Sequence, residues 1–261
     1  MGKEKKIGIK HYLNKNLKPV SSNGSERYPV YIQITFDRNN TKFAHPLSDL
    51  FDDGYLTESE FENLFESKHD ARIRASVENL EKGIRNVIRF EEQKLKNRFM
   101  LKGFADRFNG YFLSLTWIIE KSLQQLMDDF LKDELSEEEF ESVSHKLFSF
   151  EERYFMVKRN FIEDLPEVMP DFMRLATQAY SYLFGYLDKV NLPYDIPALQ
   201  WMDDQFRQGY KDLLMDSKFI QPVDIFELPL SNAALIVSDL GPVEELKIHK
   251  CLNFIDTCIL E

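Results

Sequence analysis

Two periodicities divide the chain. Over the first 45 residues the apolar positions recur every second residue. Ile7, Ile9 and Leu13 alternate with Lys6, Lys10 and Tyr12, and Val30, Ile32, Ile34 and Phe36 alternate with Tyr31, Gln33 and Thr35. A period of two places each set on one face of a strand. Pro29 suits the first position of the second strand, and Ser21 to Ser25 with Gly24 reads as a polar loop. Asp37-Arg38-Asn39-Asn40 turns the chain; with Asn39 and Asn40 as a two-residue hairpin loop, Phe36 faces Phe43 and Asp37 faces Lys42. The expectation is a small three-stranded antiparallel sheet with one apolar and one polar face.

After Pro46 the period becomes helical. Thr57 with Glu60 forms a capping box ahead of Phe61, Leu64 and Phe65. Ile73, Val77, Leu80, Ile84 and Val87 then recur at spacings of three and four, with charged residues between them, which predicts a connecting helix. Gly83 weakens that helix by about 1 kcal/mol relative to alanine, a loss that packing can offset. Phe104, Phe108, Tyr111, Phe112, Leu115, Ile119, Leu126 and Phe130 trace a wide apolar face, and Ser136 with Glu139 repeats the capping box. Pro166 and Pro170 interrupt the pattern, which resumes over 172–190, again over 201–214, and finally after Pro242; 221–230 reads as irregular. The fold class expected is α+β: a β-rich head over 1–68, a connecting helix over 69–102, and an all-helical domain over 103–261.

Charge sharpens that division. The formal net charge is −11, yet residues 1–45 carry nine Lys or Arg against three Asp or Glu, a net of +6, which leaves −17 for the remainder. A basic head attracts phosphate, whereas an acidic body repels nucleic acid and favours solubility. With 43% hydrophobic residues and 22 phenylalanines, both parts have the material for a core. Cys251 and Cys258 lie seven apart in one predicted helix, roughly 10 Å along its axis and too far to bridge each other, which fits a reducing compartment. No run approaches the roughly 20 apolar residues that a membrane span needs. The expected location is therefore the cytoplasm, with no membrane partner.

Lys6-Ile7-Gly8-Ile9-Lys10-His11-Tyr12-Leu13, the polar loop, Tyr28-Pro29-Val30-Tyr31-Ile32-Gln33-Ile34-Thr35 and the helix after Phe51 together resemble the N-terminal arm-DNA-binding domain of Bacteroides-type tyrosine recombinases, over about the first hundred residues. The resemblance implies a three-stranded sheet whose polar face enters the major groove of duplex DNA, backed by a helix. On the strand parity the outward residues are Lys10, Tyr12, Tyr31, Gln33, Thr35 and Lys42. Gln33 suits adenine, Thr35 suits a thymine methyl, and Lys10 and Lys42 suit phosphates. The recombinase chemistry, by contrast, requires a tyrosine nucleophile near the C-terminus with arginines and a His-x-x-Arg element. The last tyrosine here is Tyr210, and His69-Asp70-Ala71-Arg72 matches by letters in the wrong part of the chain. The implied function is non-enzymatic DNA binding, with the helical body supplying dimerisation or partner contacts. The alternative is a protein-interaction module whose head only packs on the body and binds no DNA. A third reading, an enzyme of another kind, calls for a polar pocket in the body with several buried titratable groups.

Other patterns carry less. Residues 49–60 fit a calcium loop at five positions, but Phe51 offers no oxygen at the third. Glu66-Ser67-Lys68-His69 is a single Glu-x-x-His, where a di-metal bundle needs two. No Gly-rich phosphate loop, Gly-x-Ser-x-Gly or Cys-x-x-Cys is present, so no metal and no cofactor is expected. Trp117 and Trp201 are expected in the core.

Overall fold

In the computed structural model, residues 5–22, 24–46, 54–66, 71–144, 149–216 and 245–260 are described. The chain forms two compact units, Met1–Gly110 and Tyr111–Glu261. The long helix over 71–95, expected to connect head and body, lies within the first unit, and the division falls at Gly110.

The first unit is built on one long strand. β3 (Ser25–Phe36) lies between β1 (Ile7–Leu13) and β4 (Asn39–Ala44), both antiparallel to it. The register pairs Ile9 with Ile34, His11 with Ile32 and Leu13 with Val30 on one side, and Ile32 with Phe43 on the other. These residues share the inner face, where Val30, Ile32, Ile34 and Phe36 are buried. Each such side chain contributes about 1.5–3 kcal/mol on burial. A one-residue slip would expose all four, a loss of roughly 6–12 kcal/mol, so the inner face sets the register.

Three features differ from the expected sheet. The hairpin loop is Asp37-Arg38, not Asn39-Asn40: both have positive φ, 48° and 65°, and Phe36 pairs with Asn39, so that Phe43 faces Ile32 and Lys42 faces Gln33. A two-residue loop with two positive φ values twists with its strands, and this match outweighs the reluctance of Arg38 to adopt such a backbone. The segment expected as a polar loop overlaps β2 (Val20–Ser22), which pairs with the start of β3. A short β5 (Tyr55–Leu56) pairs with β3 at Tyr28 and Pro29, so Pro29 sits inside the strand rather than at its start.

Helices close the inner face. α1 (Glu58–Phe61) starts at Thr57 with the expected capping box and runs on into a π-helical turn over Glu62–Glu66. Phe61, Leu64 and Phe65 pack with Leu13 and Ile73 around Val30 and Leu56. α2 (Ala71–Leu95) buries Leu80, Ile84, Val87, Ile88 and Phe90, and Phe104 and Phe108 of α3 (Phe104–Gly110) meet Phe43. Glu91 of α2 is 1% exposed, and Arg107 of α3 donates to its carboxylate from Nε and Nη2 at 2.8–3.2 Å. That pairing offsets the burial of the carboxylate and joins the two helices.

The second unit is helical: α4 (Leu115–Glu134), α5 (Glu137–Val143), α6 (Phe150–Asn160), α7 (Leu165–Val168), α8 (Asp171–Lys189), a 3₁₀ turn over Ala198–Met202, α9 (Asp204–Asp216) and α10 (Glu245–Leu260). Capping boxes start α5 at Ser136, as expected, and α6 at Ser149. The apolar face read continuously from Phe104 to Phe130 is broken at Gly110. Ser114 caps a new helix whose buried stripe is Leu115, Ile119, Leu123, Met127 and Leu131, leaving Phe112 exposed. Trp117, expected in the core, is 51% exposed, whereas Trp201 is buried completely.

α8 is the central helix, buried along most of its length and packed against α4, α9 and α10. A polar lock holds the C-terminal helix in place. Buried Asp256 of α10 accepts from Trp201 Nε1 at 2.8 Å and from Arg207 Nη2 at 3.0 Å. Removing the carboxylate leaves an indole N–H without this acceptor and a cation without this partner, and loss of one member of a buried ion pair costs about 3 kcal/mol or more. Asp256→Ala should therefore lower the urea midpoint of the body, followed by tryptophan emission, by the equivalent of about 3 kcal/mol. A change below about 1 kcal/mol would show that the lock is dispensable.

Candidate nucleic-acid interface

The outer face of the β1-β3-β4 sheet follows from the inner one, because alternate residues point to opposite sides. The ladders place its residues in rows. Lys10, Gln33 and Lys42 form one row across β1, β3 and β4; Tyr12, Tyr31 and Ala44 form the next; Gly8, Thr35 and Asn40 form a third. All six residues expected on the polar face are thus brought together. Lys10, Thr35 and Lys42 are exposed, and Tyr12, Tyr31 and Gln33 are half-buried. The four-residue shift of the hairpin register keeps parity, which is why Lys42 stays on this face although it faces Gln33 and not Asp37.

Within the face the Tyr12 and Tyr31 ring centroids are 6.2 Å apart with the planes inclined at 52°, and Lys42 Nζ lies 5.8 Å from the Tyr12 centroid. Burial, and secondarily Tyr31, raises the phenol pKa of Tyr12.

The lysines and arginines of residues 5–46 fall into two groups. Lys5 bridges Asp37 and Glu92, Lys15 pairs with Glu58, and Arg27 pairs with Glu60. Among the described residues Lys6, Lys10, Lys18, Arg38 and Lys42 make no ion pair. The lysines of the outer face, Lys10 and Lys42, are among the bases that no acid pairs with.

Strand alternation did not single out what lies directly behind this face. His11, between Lys10 and Tyr12, points inward with Ile9 and Leu13, and Glu81 of α2 lies 3.1 Å from its Nε2. Its ring is 5.2 Å from that of His45 and 5.1 Å from that of Phe65. Burial, and then the neighbouring His11, pushes the His45 pKa down to about 3. Burial also lowers that of His11, against the pull of Glu81. The available signal was a polar residue at a position of apolar parity.

Other positions singled out in the sequence do not converge on this face. Tyr210 is buried, and its hydroxyl donates to the Ala179 carbonyl at 3.0 Å. Cys251 and Cys258 are both free and buried, and burial pushes the Cys251 thiol up to about 12. His69 and residues 49–53 of the calcium-like segment lie outside the described residues. In that segment Glu60 is taken up by the Thr57 cap and Arg27. Among the described residues no group of three or more His, Cys, Asp or Glu is placed to hold a metal, and no helix is long and apolar enough to cross a membrane. A cleft of about 660 Å³ at the end of α6 is lined by Phe155, Lys158, Arg159, Asn160, Phe161 and Glu163, and none of these described residues is a buried titratable group.

The histidines give the head a pH dependence of defined sign. A base whose folded pKa is lowered binds fewer protons in the folded state than in the unfolded one, so its contribution is complete above the unfolded value near 6.5 and is lost as pH falls toward about 3. From pH 7.5 to 5.0 His45 alone should remove about 2 kcal/mol, before carboxylates begin to titrate. Hydrogen exchange of β3 amides, corrected for intrinsic rates, should show this loss in the wild type and a much flatter response in His45→Phe; equal responses would contradict it. Comparison with known proteins finds no matching family model, no matching curated protein and no matching solved structure.

Proposed function

We propose that the first unit binds duplex DNA through the outer face of the β1-β3-β4 sheet, without catalysing a reaction on it. The observation that carries this reading is the row Lys10-Gln33-Lys42, whose two lysines have no acidic partner among the described residues, whereas Lys5, Lys15 and Arg27 are paired with acids. Three strands at about 4.8 Å spacing span about 10 Å, which suits a major groove about 12 Å wide. In that placement the edge strands carry Lys10 and Lys42 toward the phosphates, and the central strand carries Gln33 and Thr35 toward base edges. Gln33 suits the N6 and N7 atoms of adenine, and Thr35 suits a thymine methyl. The resemblance to recombinase arm-binding domains supports the same placement. The acidic second unit then serves protein contacts or dimerisation.

A second reading gives the main role to that unit, as a protein-interaction module. Phe112, Leu113 and Trp117 are 43%, 48% and 51% exposed at the start of α4, beside the segment of Tyr194 from which Thr116 Oγ1 takes a carbonyl acceptor. Exposed aromatic groups of this kind characterise contact surfaces.

Salt dependence separates the two readings. Phosphate contacts release counterions, so the wild-type chain should bind duplex DNA with an affinity that falls steeply between 50 and 200 mM salt. Lys10→Ala/Lys42→Ala should weaken binding and reduce the slope of log K against log salt by about 2, near 0.9 for each phosphate that is no longer neutralised. Absence of wild-type binding, or an unchanged slope, would overturn the DNA reading.

A further inference from the structure

The tyrosine row offers chemistry that an intact duplex does not use. Base pairs in a major groove present only their edges, whereas unpaired bases expose flat faces that an aromatic ring can stack on. The two are direct partners across β1 and β3 on the outer side, and their planes are inclined rather than stacked on each other. Their neighbour on β4 is Ala44, exposed and too small to cover Tyr31. One row further on, Tyr55 pairs with Pro29 at a position of the same parity as Tyr31. The Tyr12-Tyr31 row lies next to the row that holds Lys10 and Lys42, and Lys42 reaches over the Tyr12 ring.

Every nucleobase has a flat face, and stacking on an aromatic side chain contributes about five- to 150-fold in affinity per base, with little regard to sequence. Aromatic groups on a sheet face with lysines alongside are the arrangement that receives splayed bases while cations hold their phosphates. A cross-strand aromatic pair also firms the sheet itself. Valine, another strong strand former, would supply that structural role but no ring.

We infer that Tyr12 and Tyr31 form a stacking site for unpaired bases, so that the head takes single-stranded nucleic acid on its outer face. The inference rests on reading this face as a nucleic-acid surface, and it adds a class of ligand that a duplex reader would not hold. Lys10 and Lys42 supply the phosphate contacts, and the rings supply the discrimination between paired and unpaired strands.

The test is fluorescence anisotropy of the full chain with fluorescein-labelled dT15, rU15 and a 15-base-pair duplex. Wild type should bind at least one of the two single strands, the tighter one identifying the preferred sugar. Tyr12→Phe/Tyr31→Phe should stay within about threefold of wild type, and Tyr12→Val/Tyr31→Val should lose at least about tenfold on the single strand and under about threefold on the duplex. Hydrogen exchange of β3 amides checks that the valine variant keeps its sheet. A measurement needing no variant is photocrosslinking of 5-iodouracil in the single strand, which should map to Tyr12 or Tyr31. Equal losses on both ligands, no loss from the valine variant, or crosslinks elsewhere would overturn the stacking site. Duplex binding without single-strand binding sinks this inference and leaves the duplex reading standing; the converse does the opposite, and binding of neither overturns both.

Discussion

Burial of the inner face of β3 is the constraint on which the head depends. Val30, Ile32, Ile34 and Phe36 are excluded from water by β1 and β4 at their sides and by side chains from α1, α2 and α3 above them. Strand geometry leaves no choice for the intervening residues, so Tyr31, Gln33 and Thr35 face outward. The flanking strands pair in the same register, which adds Lys10, Tyr12 and Lys42. A surface of two lysines, an amide, a hydroxyl and two phenols is thus assembled by the burial of apolar groups on the other side. The energy that orients the surface is several times larger than any single interaction that the surface would make with a ligand.

Electrostatics then separates structural cations from available ones. Lys5, Lys15 and Arg27 tie strand ends and loops to Glu92, Glu58 and Glu60, and Arg107 satisfies the buried Glu91. The lysines in the middle of the outer face lack such partners among the described residues. Burial lowers the pKa of both histidines behind the face, so neither adds a positive charge there at neutral pH. The body uses the same economy with different parts, where a single carboxylate, Asp256, serves both Trp201 and Arg207.

Much of the head was legible in its two-residue period. The polar face was assigned correctly because parity depends only on which alternate positions are apolar. The hairpin loop was misplaced because asparagine tolerates positive φ better than Asp37 or Arg38, yet the four-residue shift preserved parity and so the face survived the error. β2 and β5, three and two residues long, are too short for a periodic signal. His11 was passed over because a polar residue on an apolar parity carries no local mark of burial. In the body, the spacing of Phe108, Phe112, Leu115 and Ile119 suited one continuous helix, but Gly110 ended the first and Ser114 started the second, turning Phe112 and Trp117 to the surface. The Asp256 lock joins residues 49 and 55 positions apart and has no sequence signature of its own.

The outer face of the sheet is the proposed site for nucleic acid. Amide chemical-shift perturbation of the isotope-labelled full chain, on titration with a short duplex and with dT15 at low salt, addresses it most directly. The largest shifts should fall on Lys10, Tyr12, Tyr31, Gln33, Thr35 and Lys42, with the inner-face residues and the helical body little affected. Shifts concentrated on the body around Phe112 and Trp117, or no shift anywhere at concentrations that saturate a micromolar complex, would contradict it.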